Sequence, residues 1–284
     1  MFAETTFVGA DQTLNVASGP KNGPTLVALH GVVRCWQDFG NVLPSLALRS
    51  HVLAIDHRGH GRSSWAPRYL VADYVADAVA AIRALKAPAA IIGHSLGALV
   101  AIGVAAELPD QVQAIILEDP PSQNFLARTY KTTYHAQWSA MQSLAGSTTP
   151  IAVVAKRLAE TRLPNGVRIG DMRDAASLRF VARCLRDLDP QVLAPVLEYR
   201  WLEGFDLLEA ARRVRCPALL LAGDANVGGM LPSEDARCLE AALSDCTRID
   251  LPNVGHLIHA SAPDTYLRLA LHFLDSLDPL GKQS

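Results

Sequence analysis

The stretch Ala89-Ala90-Ile91-Ile92-Gly93-His94-Ser95-Leu96-Gly97-Ala98-Leu99-Val100-Ala101 constrains the fold more than any other part of the chain. An apolar run of strand length enters Gly93-His94-Ser95-Leu96-Gly97, and an Ala/Leu/Val/Ile pattern at helical spacing leaves it. A G-x-S-x-G sequence set between a strand and a helix predicts a sharp turn that lifts a serine above the edge of a sheet. Gly93 and Gly97 suit such a turn, because a Cβ at either place would collide with tightly folded backbone. Ser95 is the candidate nucleophile. The Leu96 N–H, at the start of the following helix, is a candidate donor to developing negative charge.

The rest of the chain repeats this rhythm. Thr25 to Leu29, His51 to Ile55, Val112 to Leu117 and Pro217 to Gly223 are continuous apolar runs, the pattern of strands buried on both faces. Phe2 to Ser18 reads as two further strands, and Thr247 to Leu251 as one more. Helical spacing occupies Leu70 to Lys86, Ser233 to Leu243 and Ala262 to Leu277, and Lys282-Gln283-Ser284 reads as a frayed tail. Strands alternating with helices predict an α/β fold, a mostly parallel sheet covered by helices on both faces. In such sheets reactive groups gather at the carboxyl ends of strands, where His30, Asp56, Ser95 and Asp119 all fall. From Ser122 to about Arg215 strand-like runs nearly vanish, and Ile151 to Leu163 and Ala175 to Leu188 have helical spacing. The expected organisation is a core of residues 1–121 and 216–284, with residues 122–215 as a helical lid.

Composition narrows the functional classes. Within 284 residues of net charge −2, nothing favours nucleic acid or an anionic membrane surface as a partner. No uncharged apolar run is long enough to span a bilayer, and Met1 to Ala10 lacks a basic-then-apolar signal pattern. The five cysteines, Cys35, Cys184, Cys216, Cys238 and Cys246, contain no C-x-x-C, and free thiols in a reducing, cytoplasmic setting are expected. Metal-binding, phosphate-loop and paired dinucleotide glycine motifs are missing, so neither metal nor organic cofactor is expected. The expected partner is a small-molecule carbonyl substrate; whether the chain forms a homo-oligomer stays open.

Four pieces in order resemble the α/β-hydrolase superfamily across nearly the whole chain: His30-Gly31, Asp56-x-Arg58-Gly59-x-Gly61-x-Ser63, Gly93-His94-Ser95-Leu96-Gly97 and Gly255-His256. The resemblance implies the α/β-hydrolase fold and a serine nucleophile. Groups with Asp at the Ser95 position, such as dehalogenases and epoxide hydrolases, are thereby set aside. It also implies His256, in a late glycine-containing loop, as the base, and the Val32 N–H as the second oxyanion donor beside Leu96.

The acid is the contested position. Most of the superfamily carries it three residues past a glycine after the strand that follows the lid, and here that place holds Asn226. Asp119, one strand away, is favoured because the triad needs a carboxylate near the imidazole, with Asp224 as the alternative. Glu118 should face the other side of its strand. Arg34 follows the oxyanion loop and would bind a substrate carboxylate or remain a solvated loop residue. Arg128, Lys131, Arg200 and Trp201 invite the same idea; His30, with His94, is a structural or pocket-wall group, and His30 is also a candidate substrate-binding residue.

The expected activity is cofactor-free serine hydrolysis of a small ester, lactone or amide through an acyl-enzyme. Two alternatives remain open. One is C–C bond hydrolysis of a ring-cleavage product. The other, kept alive by Asn226, is a non-catalytic ligand receptor on the same fold.

Overall fold

The structure is a computed structural model that describes residues 1–9 and 11–277; the tail at Lys282-Gln283-Ser284 lies outside the described residues. Eight strands form one sheet: β1 (Ala3–Val8), β2 (Thr13–Ser18), β3 (Thr25–Leu29), β4 (His51–Ile55), β5 (Ala89–His94), β6 (Val112–Glu118), β7 (Ala218–Gly223) and β8 (Cys246–Leu251). Their spatial order is β1-β2-β4-β3-β5-β6-β7-β8. The β1–β2 and β2–β4 pairs are antiparallel, and every later pair is parallel.

Period-two alternation divides the apolar strand residues between two cores. Val27, Leu29, Ile91, Ile115, Leu117 and Leu220 point into one. Leu26, Ala28, Ile92, Ala114, Ile116, Leu219 and Leu221 point into the other, against the C-terminal helix Pro263–Ser276. Burial on both faces explains why these strands read as unbroken apolar runs.

Helix α1 (Val71–Arg83) and helix α2 (Leu96–Glu107) pack together on the first of these faces. Helix α2 is apolar on all sides, and only its final turn approaches the surface, as a helix enclosed by neighbours requires. A Cβ on Gly103 would stand 2.5 Å from Val75 Cγ2, so α1 and α2 meet at a glycine.

After β6 the chain leaves the sheet for a helical insertion that includes α3 (Thr133–Leu144), α4 (Ile151–Glu160) and α5 (Ala175–Arg186). The two later helices match the expected runs, whereas α3 was not anticipated. Its Tyr, His, Trp and Ser residues are mediocre helix formers. It is started by the Thr132 hydroxyl, which accepts the Tyr134 N–H, and anchored by buried Trp138, Met141 and Leu144. The final helix of the stretch, α6 (Leu207–Arg213), packs on α2 and on the helix Ser233–Ala242. Among the described residues no helix is long and apolar enough to cross a membrane.

Candidate active site

Ser95 sits where β5 turns into α2, with φ 55° and ψ −115°, a conformation that non-glycine residues rarely adopt. The surrounding glycines make that turn possible. A Cβ on Gly97 would lie 1.9 Å from the Leu29 carbonyl oxygen, and one on Gly93 would lie 2.2 Å from the Gly97 oxygen. The elbow is therefore pressed against the end of β3 with no space for larger residues. Strain of this kind, on a nucleophile candidate at a strand end, is where functional sites store it.

Opposite Ser95 runs the loop after β3. A Cβ on Gly31 would lie 2.7 Å from His94 Nδ1 and 3.3 Å from Ser95 Cβ, so this loop passes directly beside the serine. It turns tightly, with the Arg34 N–H bonded to the Gly31 carbonyl at 3.2 Å and Val33 at φ 63°. The Val33 N–H is taken by His60 Nε2 at 3.2 Å, while the Val32 N–H has no partner among the described residues. Leu96 is the first residue of α2, so its N–H is one of those a helix leaves unpaired. Val32 and Leu96 thus flank Ser95 with uncommitted donors.

His256 lies in the loop after β8. Its Nδ1 is 2.6 Å from Asp119 Oδ2. Asp119, completely buried at the end of β6 with φ 43°, also accepts the Gly223 N–H on Oδ1 at 2.9 Å and the Met230 N–H on Oδ2 at 2.8 Å. A carboxylate can accept all three bonds, and with Nδ1 engaged by Asp119 the His256 Nε2 is the ring nitrogen left without a partner among the described residues. Asp224 does not approach His256. It is half-buried and accepts the N–H groups of Asn226 and Asn253, which holds its carboxyl below the usual range. Glu118 faces away from Asp119 and binds His259 instead. Of the carboxylates weighed from sequence, Asp119 is the one in contact with the histidine.

A cavity of about 990 Å³ opens onto Ser95 and His256, roofed by Tyr134, Trp138 and Phe180 of the insertion. The Ser95 hydroxyl makes no hydrogen bond among the described residues; such bonds are often long before substrate arrives. Tyr134 ties the insertion to the core by donating to the Gly228 carbonyl at 2.5 Å.

His30 does not line this cavity, so of the roles open to it from sequence its contacts are structural rather than pocket-wall or substrate-binding. It is fully buried, Nδ1 donates to the Gly31 carbonyl, and Nε2 accepts the His57 N–H. Burial lowers its pKa to about 4, so it is neutral and braces the loop from behind. Asp56 does similar work, accepting from Asn15, Trp36 and Arg62, and Arg58 is clamped by Asp77.

Arg34 does line the cavity, with its Nε 3.8 Å from Asp38. Arg128, Lys131 and Arg200 are exposed and Trp201 is buried, and none of them lines it. The insertion residues that do reach it with a charge are Arg173 and its neighbour Asp174. Sequence alone gave little warning, since Arg173 stands between helices with no periodic pattern. Its one local signal is Asp174, the N-cap of α5, which pins the preceding residue at the helix entrance.

Residues 26–269 match the sequence model of the alpha/beta hydrolase family. The chain belongs to that family. It is 31% identical over 262 residues to the pimeloyl-[acyl-carrier protein] methyl ester esterase of Chromobacterium violaceum, covering 89% of this chain and 95% of the relative. It is 27% identical over 278 residues to the 2-(acetamidomethylene)succinate hydrolase of Mesorhizobium japonicum, covering 93% and 92%. Among solved structures, an E-2-(acetamidomethylene)succinate hydrolase superposes with a TM-score of 0.79 at 23% identity, over 97% of this chain and all of that one. In this family member, the serine, the histidine and the buried carboxylate come from the ends of β5, β8 and β6 respectively. The chain is a hydrolase.

Proposed function

We propose that this hydrolase cleaves a small ester, lactone or amide by acyl transfer through Ser95, with His256 as general base and Asp119 as the group that orients and stabilises it. The observation that carries the reading is the 2.6 Å contact between His256 Nδ1 and Asp119 Oδ2 beside a cavity that also exposes Ser95.

His256 Nε2 takes the Ser95 proton as Oγ attacks the substrate carbonyl carbon. The carbonyl oxygen becomes an oxyanion that the Val32 and Leu96 N–H groups stabilise, each donor worth about 3–4 kcal/mol in the transition state. His256 then passes its proton to the departing alkoxide or amine, which leaves an acyl ester on Ser95. Water, deprotonated by the same imidazole, attacks that ester and restores the serine. Asp119 keeps the imidazole in the tautomer with Nδ1–H and offsets its positive charge. The apolar roof contributed by Tyr134, Trp138 and Phe180 keeps bulk water from the intermediates.

The methyl ester esterase name of one relative supports the ester reading. The receptor alternative drew its force from Asn226, and the Asp119 contact supports the catalytic reading over it. Turnover of a 4-nitrophenyl ester by wild type and Ser95→Ala tests the proposal. The expected loss in kcat is at least about 10⁴-fold, and full activity in the variant would overturn it.

A further inference from the structure

Two guanidiniums face the cavity beside Ser95, and neither side chain donates a hydrogen bond within the protein among the described residues. Arg34, from the loop after β3, has only Asp38 nearby, at 3.8 Å. Arg173, from the insertion, has no carboxylate within ion-pair range among the described residues, and its Nη1 is buried without a partner among them. A buried cation with no partner is costly, so a folded chain that keeps one implies an anion to meet it.

The charges behind Arg34 sharpen the point. Glu118, fully buried, lies 2.8 Å from His259 Nδ1, and Asp38 lies 3.4 Å from His259 Nε2. Burial alone would lower the His259 pKa, yet these two carboxylates hold it up to about 10, so the ring is a cation. Glu118 and Asp38 are then balanced by His259 and Arg34. Arg173 is left without an ion-pair partner among the described residues, Asp174 beside it being exposed and engaged in capping α5. Burial, followed by repulsion from Arg34, pushes the Arg173 pKa down to about 10, which still leaves it charged at neutral pH.

We propose that Arg34 and Arg173 form a carboxylate subsite, so that the substrate is a small ester, lactone or amide bearing a free carboxylate. This rests on the hydrolase reading above for the position of the scissile carbonyl, which Ser95 fixes. Arg34 belongs to the core and Arg173 to the insertion, so one carboxylate bound by both draws the cover onto the substrate. A planar fork on each side suits a carboxylate, which accepts bidentate bonds. Asp38 is the positioning residue, holding the Arg34 guanidinium from behind while His259 holds Asp38.

The test compares a matched pair of substrates, 4-nitrophenyl hemisuccinate and neutral 4-nitrophenyl butyrate, on wild type, Arg173→Gln and Arg173→Lys, with folding checked by circular dichroism. The readout is the ratio of the two kcat/KM values, which cancels any general damage to the site. Wild type should favour the charged ester by about 10- to 100-fold, the worth of a charge-assisted hydrogen bond. Arg173→Gln should abolish that preference, and Arg173→Lys should keep part of it. A ratio near one in wild type, or one unchanged in Arg173→Gln, would overturn the proposal.

A binding arm separates this proposal from the hydrolase reading. Succinate is titrated calorimetrically into Ser95→Ala with and without Arg173→Gln. Binding lost with Arg173 supports the subsite even if no ester is cleaved. Ester cleavage without charge preference upholds the hydrolase and sinks the subsite. Inorganic phosphate binding more tightly than succinate would also contradict a carboxylate ligand.

Discussion

Asp119 Oδ2 lies 2.6 Å from His256 Nδ1, and the same carboxylate is fixed by the N–H groups of Gly223 and Met230. This carboxylate is therefore held by the strand-end backbone of β7 and by the segment that follows it, although its own strand is β6. Nothing local to Asp119 reveals this, since the two donors lie more than a hundred residues downstream.

Replacing the acid should change rate and stability together. Asp119→Asn should lower kcat on a 4-nitrophenyl ester by about 10⁴-fold, because an amide stabilises the imidazolium poorly and sets the wrong tautomer. It should also lower the melting temperature, since one amide group is required to face two backbone donors and a ring N–H. Asp224→Asn should leave kcat little changed, because Asp224 caps an exposed turn. The reverse pattern would transfer the role to Asp224.

The oxyanion loop should depend on a residue that touches no substrate. His60 Nε2 accepts the Val33 N–H, and its Nδ1 donates to the Arg58 carbonyl at 2.8 Å, which ties the left-handed residue next to Val32 to the loop after β4. His60→Ala should lower kcat by up to about 10²-fold with a smaller change in KM, the pattern of a displaced transition-state donor. A rise in KM alone would show that His60 shapes the pocket instead.

Glycine at the elbow should be irreplaceable on steric grounds. Gly97→Ala places a Cβ 1.9 Å from the Leu29 oxygen, whereas at Gly40 a Cβ meets nothing within 4 Å. Gly97→Ala should be insoluble or melt far below wild type, and Gly40→Ala should melt close to it. Thermal denaturation followed by circular dichroism distinguishes the two.

The buried histidines set the pH dependence of stability. Burial lowers the pKa of His30 to about 4 and of His60 to about 3, from 6.5 in an unfolded chain. Between those values the unfolded state binds more protons, so their contribution rises with pH up to about 6.5. His259 acts oppositely. Held up to about 10, it stabilises the fold fully below 6.5 and loses that contribution as pH climbs toward 10. Melting temperatures should therefore peak near neutrality and fall toward both pH 4.5 and pH 9.5. A steady rise through pH 9.5 would contradict the assignment of a charged His259.

How much of this was legible in the sequence follows from how local each feature is. The strands Thr25–Leu29, His51–Ile55 and Ala89–His94 were readable because burial on both faces leaves unbroken apolar runs. Ser95 was readable because its turn needs glycines within two residues of it. His256 became readable through its place in the order of motifs. Asp119 could only be weighed against Asp224, since the choice depends on where Gly223 and Met230 bring their N–H groups. Arg173 was missed because it shares a cavity with Arg34 only once the insertion has folded, and no periodic pattern marks it in the sequence. For His30 the sequence left structural and pocket-wall roles open, and the choice depends on its ring lying behind the loop, toward His57.

The most direct test of an acyl-transferring Ser95 is the site and extent of labelling by a fluorophosphonate, read by intact and peptide mass spectrometry. The account predicts one phosphonyl group per chain, attached to the Ser95 peptide, lost in Ser95→Ala and strongly slowed in Asp119→Asn, with hydrolysis falling in step with labelling. An unlabelled chain that still hydrolyses its substrate, or a phosphonyl group on another residue with activity abolished, would contradict it.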